Sequence, residues 1–350
     1  MIFSYRTRHN LRRIGKFLLI VFAIAAVVWA CWMVWVARYM AYDRDSGAFL
    51  DFGLGPIPEG VLAVPPEPTE PVNIYYSDPD ADLPNSEPEQ TSIQGYYLTT
   101  DDLRSDNLPE LMTQLGTLKA GTAVMLEVKA PKGWFYYSTD IDDKYENLAP
   151  AHSLSVQEMD DLIRFMDNRG LYLIARLPAF RDYWFGRYHV SSGLAEKGKG
   201  GALWMDNGCY WLDPTDDETL NYLVRITREL KSLGFDEVVY DDFRFPVTDK
   251  IEFSGDKAQA ITDAAATLAT ACATDQFCVS FAVSDPAFPL PEGNCRLYFQ
   301  GVAAADAETV ALQVVTEAPE LHVLFMTTAS DASDTRFEKY SVLRPLESAH

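Results

Sequence analysis

The stretch GFDEVVYDDFRFP, residues 234–246, decides the fold. A glycine closes whatever precedes it, an apolar β-branched run follows, and the run ends in two carboxylates, an arginine and a turn-forming proline. Side chains alternate along a strand, so Glu237, Val239 and Asp241 share one face while Asp242 turns into the loop. Buried charge is costly unless it is paired or useful. The stretch therefore predicts a strand that opens into an active-site mouth.

The same alternation of elements extends both ways. Upstream, IQGYYLTT (93–100), TAVMLEVKA (122–130) and LYLIARLPAF (171–180) read as strands. Between them, LPELMTQLGTLK (108–119), SVQEMDDLIRFMDNRG (155–170) and DDETLNYLVRITRELKSLG (216–234) read as helices, the last two ended by Gly170 and Gly234. Downstream, DKAQAITDAAATLATACA (256–273) reads as a helix. Weaker strand signals follow at FCVSFAVS (277–284), RLYFQGV (296–302), LHVLFMTT (321–328) and KYSVLRP (339–345), with a helix at AETVALQVVTEA (307–318). Strands spaced by helices imply βαβ units and a parallel sheet. About eight units in roughly 250 residues suit a (β/α)8 TIM-type barrel, expected to be irregular in its last third. No Gly-rich phosphate fingerprint follows the first strand, which weighs against a nucleotide-binding open sheet.

In such a barrel, chemistry sits at the C-terminal ends of the strands. Glu127 and Lys129 share a face at the end of the second strand, Arg176 lies near the end of the third, and Asp241 and Asp242 end the fourth. An ordinary ion-pair network among Asp241, Arg176 and Arg244 is the structural alternative to a site. Aromatic runs follow two of these strands, WFYY (134–137) and DYWFGRY (182–188). Trp134 is the candidate there for stacking on a sugar, with rim packing as the alternative.

These residues resemble the glycosyl hydrolase domains akin to the α-amylase-like barrels. The resemblance runs from IQGYYLTT to YDDFRFP, and is most specific in IARLPAFRD (174–182) and in residues 204–246. It implies that Arg176 and Asp241 face sugar at the mouth, and that Asp182, Trp211, Asp213, Arg244 and Pro246 match the family's pattern. Glu127 stands where the family carries an aspartate, and Ala282 stands near its strand-five aspartate, with Asp285 three residues on. A barrel hydrolase needs two carboxylates. The expectation is Asp241 as nucleophile or base, kept charged by Arg176, with Glu127 as proton donor and Asp285 as the competing second carboxylate. Asp182, Trp134, Trp211, Asp242, Arg244 and Asp285 are the expected substrate-binding residues.

Composition bounds the partners. The 350 residues carry 29 Lys and Arg against 51 Asp and Glu, a net charge of -22. That balance argues against a nucleic-acid surface. Five of the bases, Arg6, Arg8, Arg12, Arg13 and Lys16, crowd the N-terminus. Directly after them, residues 17–36 carry no charge and end in bulky Trp32, Met33 and Trp35. A transmembrane helix needs about 20 apolar residues, whereas a cleaved signal has a shorter apolar core. The expectation is a cytoplasmic tail (1–16), a single membrane span (17–38), a Pro/Glu-rich stalk (39–91) and an extracellular barrel domain (92–350).

Beyond the span, Cys209, Cys272, Cys278 and Cys295 allow either two disulfides or four buried thiols. His9, His152, His189, His322 and His350 are scattered, so no metal site is expected, and no cofactor. No GxSxG occurs. The functional expectation is a membrane-anchored glycoside hydrolase acting on a carbohydrate polymer of the envelope or environment. The alternative is a catalytically inactive barrel that binds glycan or a partner protein at the cell envelope.

Overall fold

The computed structural model describes residues 40–43, 47–50, 91–99, 102–141 and 153–346. The expected cytoplasmic tail and membrane span lie outside the described residues, as does nearly all of the expected stalk. Among the described residues no helix is long and apolar enough to cross a membrane. The chain divides into two compact units, residues 1–81 and 82–350. In the first, Met40–Asp43 pairs antiparallel with Gly47–Leu50.

The second unit is a closed barrel of eight parallel strands. In chain order they are β1 (Gln94–Tyr97), β2 (Ala123–Glu127), β3 (Tyr172–Pro178), β4 (Glu237–Asp241), β5 (Cys278–Ala282), β6 (Cys295–Gln300), β7 (Val323–Met326) and β8 (Ser341–Pro345). Each pairs with the next, and β8 closes on β1. An open doubly wound sheet is thereby ruled out.

The helices explain why the strands wrap. They are α1 (Leu108–Gly116), α2 (Val156–Asn168), the short α3 (Tyr183–Tyr188), α4 (Asp217–Ser232), α5 (Lys257–Cys272), α6 (Ala307–Val314) and α7 (Pro319–His322). Ser155 and Glu158 form a reciprocal capping box at the start of α2. Asp216 and Asp256 cap α4 and α5 through their carboxylates. Gly234 takes the left-handed φ of +97° that turns the chain from α4 into β4.

Alternation then divides the core in two. Val124, Leu173, Val238, Phe281 and Phe299 face the helices as part of the larger cluster. Met125, Ile174, Val239, Tyr298 and Leu324 fill the lumen. The last third is irregular, as expected. The connection from β5 to β6 contains no helix, and a 3-10 turn (Thr335–Lys339) stands where a helix would precede β8. The four cysteines are buried and unbridged.

Candidate functional site at the barrel mouth

Neighbouring strands place three charged side chains in a row. Glu127 ends β2 opposite Arg176 of β3, and Asp241 ends β4 opposite Pro178 of β3. Parity sets all three on the lumen side. The guanidinium of Arg176 donates from Nε (3.1 Å) and Nη2 (2.5 Å) to Oδ2 of Asp241. The backbone N–H of Asp242 donates to Oδ1 of Asp241 at 2.8 Å, so both oxygens of that carboxylate are held. Asp242 reaches this position through a left-handed φ of +48°, uncommon for a residue with a Cβ.

Glu127 is in a different environment. Burial pushes its carboxyl up from the ordinary value, Arg176 pulls it down, Asp241 pushes it up and Lys129 pulls it down; the net direction is upward. Tyr136 lies close enough for the charge of Glu127 to act on it. Burial first, and Glu127 second, push its hydroxyl up to about 12. Two carboxylates at one mouth, one paired with a guanidinium and one pushed toward its neutral form, are the raw material of acid–base work on a glycosidic bond.

A rim of cations surrounds them. Arg181 Nη1 donates to Asp242 Oδ2 at 3.1 Å, and Arg244 Nη2 lies 3.7 Å from Asp242 Oδ1. The two guanidinium carbons lie 5.6 and 5.1 Å from the Trp211 ring centre. Below the rim, Lys129 and Asp182 form an ion pair of 2.6 Å, each 1% exposed. Tyr222 donates to Asp182 Oδ2, and Asp182 Oδ1 accepts from Phe185 N–H as the cap of α3.

The site residues named from sequence therefore separate. Arg176, Asp241, Asp242 and Arg244 line one cavity of about 180 Å³, together with Ala282, Tyr298 and Gln300. Glu127 stands beside Arg176, outside that lining. Asp285 is exposed in the loop after β5, its Oδ1 accepting from Ala287 N–H, and lines an adjoining cavity of about 330 Å³. Asp182 and Trp211, expected at the sugar, are both 1% exposed and lie beneath the mouth instead. The reason is that Asp182 caps a helix and neutralises Lys129, while Trp211 supports two arginines. Trp134 is half-buried in a turn closed by the Ala130 N–H on its carbonyl, outside both cavities.

Sequence reading missed Arg181, Gln300 and Lys257, which lines the outer cavity. Gln300 was within reach, since it ends β6 on the parity of Tyr298. Arg181 and Lys257 lie in or after loops, where no periodicity points. Among the described residues no group of three His, Cys, Asp or Glu is arranged to hold a metal ion.

A hypothetical protein of Ruminiclostridium thermocellum is similar at 20% identity, over 58% of this chain and 96% of that one, with a TM-score of 0.42. The glycoside hydrolase domain of PelA from Pseudomonas aeruginosa is similar at 12% identity, over 73% and 94%, with a TM-score of 0.44. A β-N-acetylhexosaminidase from Bacteroides fragilis is similar at 9% identity, over 68% and 51%, with a TM-score of 0.44. No curated protein sequence matches significantly. One family model does match, over residues 95–281, which is from β1 to the end of β5 and more than half of the chain. With its eight-stranded barrel and its charged mouth, the chain belongs to the family described as "Putative glycosyl hydrolase domain".

Proposed function

We propose that the protein is a glycoside hydrolase that cleaves a carbohydrate polymer at the mouth formed by β2, β3 and β4. The observation that carries this reading is the row Glu127–Arg176–Asp241, in which one carboxylate is pushed toward its neutral form and the other is fixed by a guanidinium. Glu127 would donate a proton to the leaving oxygen, and Asp241 would act as nucleophile or base. Arg176 would position Asp241 through the two bonds to Oδ2, and the Asp242 N–H would hold the other oxygen. Turnover is tested by incubating the full-length chain with a panel of polysaccharides and peptidoglycan and measuring new reducing ends. The expected result is product from the wild type and none above background from Asp241→Asn.

A second reading draws on Ala282, which puts a methyl group into the cavity lining at the end of β5. In that case the mouth binds glycan or a partner protein without cleaving it. Glycan binding by the wild type, with no product from any substrate, would select it.

The same proposal includes a membrane anchor. The uncharged run 17–36 behind five bases supports a single span with the N-terminus in the cytoplasm and the barrel outside. The expected outcome is that the protein resists alkaline carbonate but is released by detergent, and that added protease reaches the barrel on intact cells.

A further inference from the structure

We propose that the cavity beside Asp241, about 330 Å³ in volume, is a subsite for an anionic sugar residue, one bearing a carboxylate or a sulfate. The inference rests on the hydrolase reading and deepens it. The two cavities share Phe243, Arg244, Ala282, Val283 and Ser284, so a glycan passing Asp241 would place a neighbouring ring in the outer one. Phe243, Phe245 and Phe288 give that cavity apolar walls suited to the C–H face of a sugar.

Its charge runs against the composition. A chain with 29 basic and 51 acidic residues puts two cations, Arg244 and Lys257, against one anion, Asp285, in this cavity. The Asp285 carboxylate is partly engaged by Ala287 N–H. Lys257 is exposed, lies 5.6 Å from the Phe245 ring, and makes no ion pair among the described residues. Arg244 is held by other means than neutralisation. Its Nη1 donates to the Phe245 carbonyl at 3.2 Å, and its guanidinium lies over Trp211. Its closest ion-pair contact, to Asp242, is long at 3.7 Å, and its side chain is 49% exposed. A planar guanidinium fixed in this way presents free N–H groups to a planar or tetrahedral oxyanion, with an exposed ammonium alongside.

The test uses the full-length chain and S-linked tetrasaccharides, which resist hydrolysis, in gluco, galacto and manno series. Each series includes the uronide, its carboxyl-reduced neutral counterpart and a sulfated form, and binding is measured by calorimetry. At least one anionic ligand should bind roughly tenfold or more tightly than its neutral counterpart, the range of a charge-assisted bond. Lys257→Met and Arg244→Met should each remove most of that preference. A uronide that outbinds the sulfated form assigns a uronic acid, and the reverse order assigns a sulfated sugar. Equal binding of charged and neutral ligands, no binding of any anionic series, or a preference that survives both substitutions would overturn the subsite. Turnover of neutral glycans without charge preference sinks the subsite alone. Charge preference without turnover of any glycan sinks the hydrolase reading alone.

Discussion

At the scale of single residues, Glu127 carries the sharpest prediction. Burial is the largest influence on it and raises its carboxyl above the usual range. In the proposed role of proton donor it would work only while protonated, and would set the alkaline limb of kcat/KM above the ordinary glutamate value. Glu127→Gln should cost about 10²–10⁴ in kcat/KM on substrates with poor leaving groups, and should remove that limb. Stability gives an independent check. The folded-state value lies above the unfolded one, so the group adds no penalty below the unfolded value, where both states are protonated. As pH rises through the folded value the full penalty develops. Glu127→Gln should therefore raise Tm at pH 7–8 and lose that gain by about pH 4. An unchanged Tm difference across that range would count against a raised Glu127.

Asp241 was legible because strand parity alone puts it inward, and Arg176 for the same reason. Asp182 and Trp211 are buried beneath the rim rather than open at the mouth. A family pattern says that a residue matters, and here both matter by supporting the rim: Asp182 under Lys129, Trp211 beneath Arg181 and Arg244.

At the scale of elements, β1 shows how tightly the barrel is drawn. Gly95 sits opposite Ala123 of β2, and a Cβ built on it would collide with the Ala123 carbonyl. Backbone cannot yield there without opening the β1–β2 ladder. Gly95→Ala should cost about 3 kcal/mol or more, at the upper end of overpacking penalties, read as a lower urea midpoint with little change in slope. A midpoint unchanged within error would mean that β1 can shift at no cost. The strands and long helices were readable because each spans several repeats of its own period. The connections were not. Met205–Asp206 pairs with Cys209–Tyr210, and Ala195–Glu196 with Ile251–Glu252, and two residues are too few to show any alternation. Arg181 follows β3 in a stretch without periodicity, so it was the hidden part of the rim, whereas Arg244 was named from sequence.

At the scale of the whole molecule, closure of the barrel creates a feature that no segment contains. Glu237 begins β4 and Arg296 lies in β6, 59 residues away, yet Nη1 of Arg296 donates to Oε2 of Glu237 at 2.6 Å. Ser280 on the intervening β5 donates to Oε1, as does Tyr298, and Tyr172 donates to Oε2. Arg296 Nη1 also donates to the Tyr172 hydroxyl at 3.3 Å, and its Nε and Nη2 donate to the carbonyls of Leu321 and Thr91. The carboxylate and guanidinium are 0% and 3% exposed, so this network is the dry floor of the barrel, at the end opposite Asp241. The sequence marked Glu237 as inward but could not name its partner, because pairing across β5 exists only once the strands lie side by side. A buried pair of this kind is costly to break and far less costly to replace. Arg296→Met should lose about 3–5 kcal/mol in urea unfolding, because Glu237 is left charged without a counterion. Adding Glu237→Gln should restore a large part of that loss, since the neutral amide needs no partner cation. If the double variant is as unstable as the sum of the two singles, the floor is held by packing around Arg296 rather than by its charge. At temperatures where the single variant remains folded, the mouth should bind its ligands as the wild type does, because the floor network and Asp241 occupy opposite ends of β4.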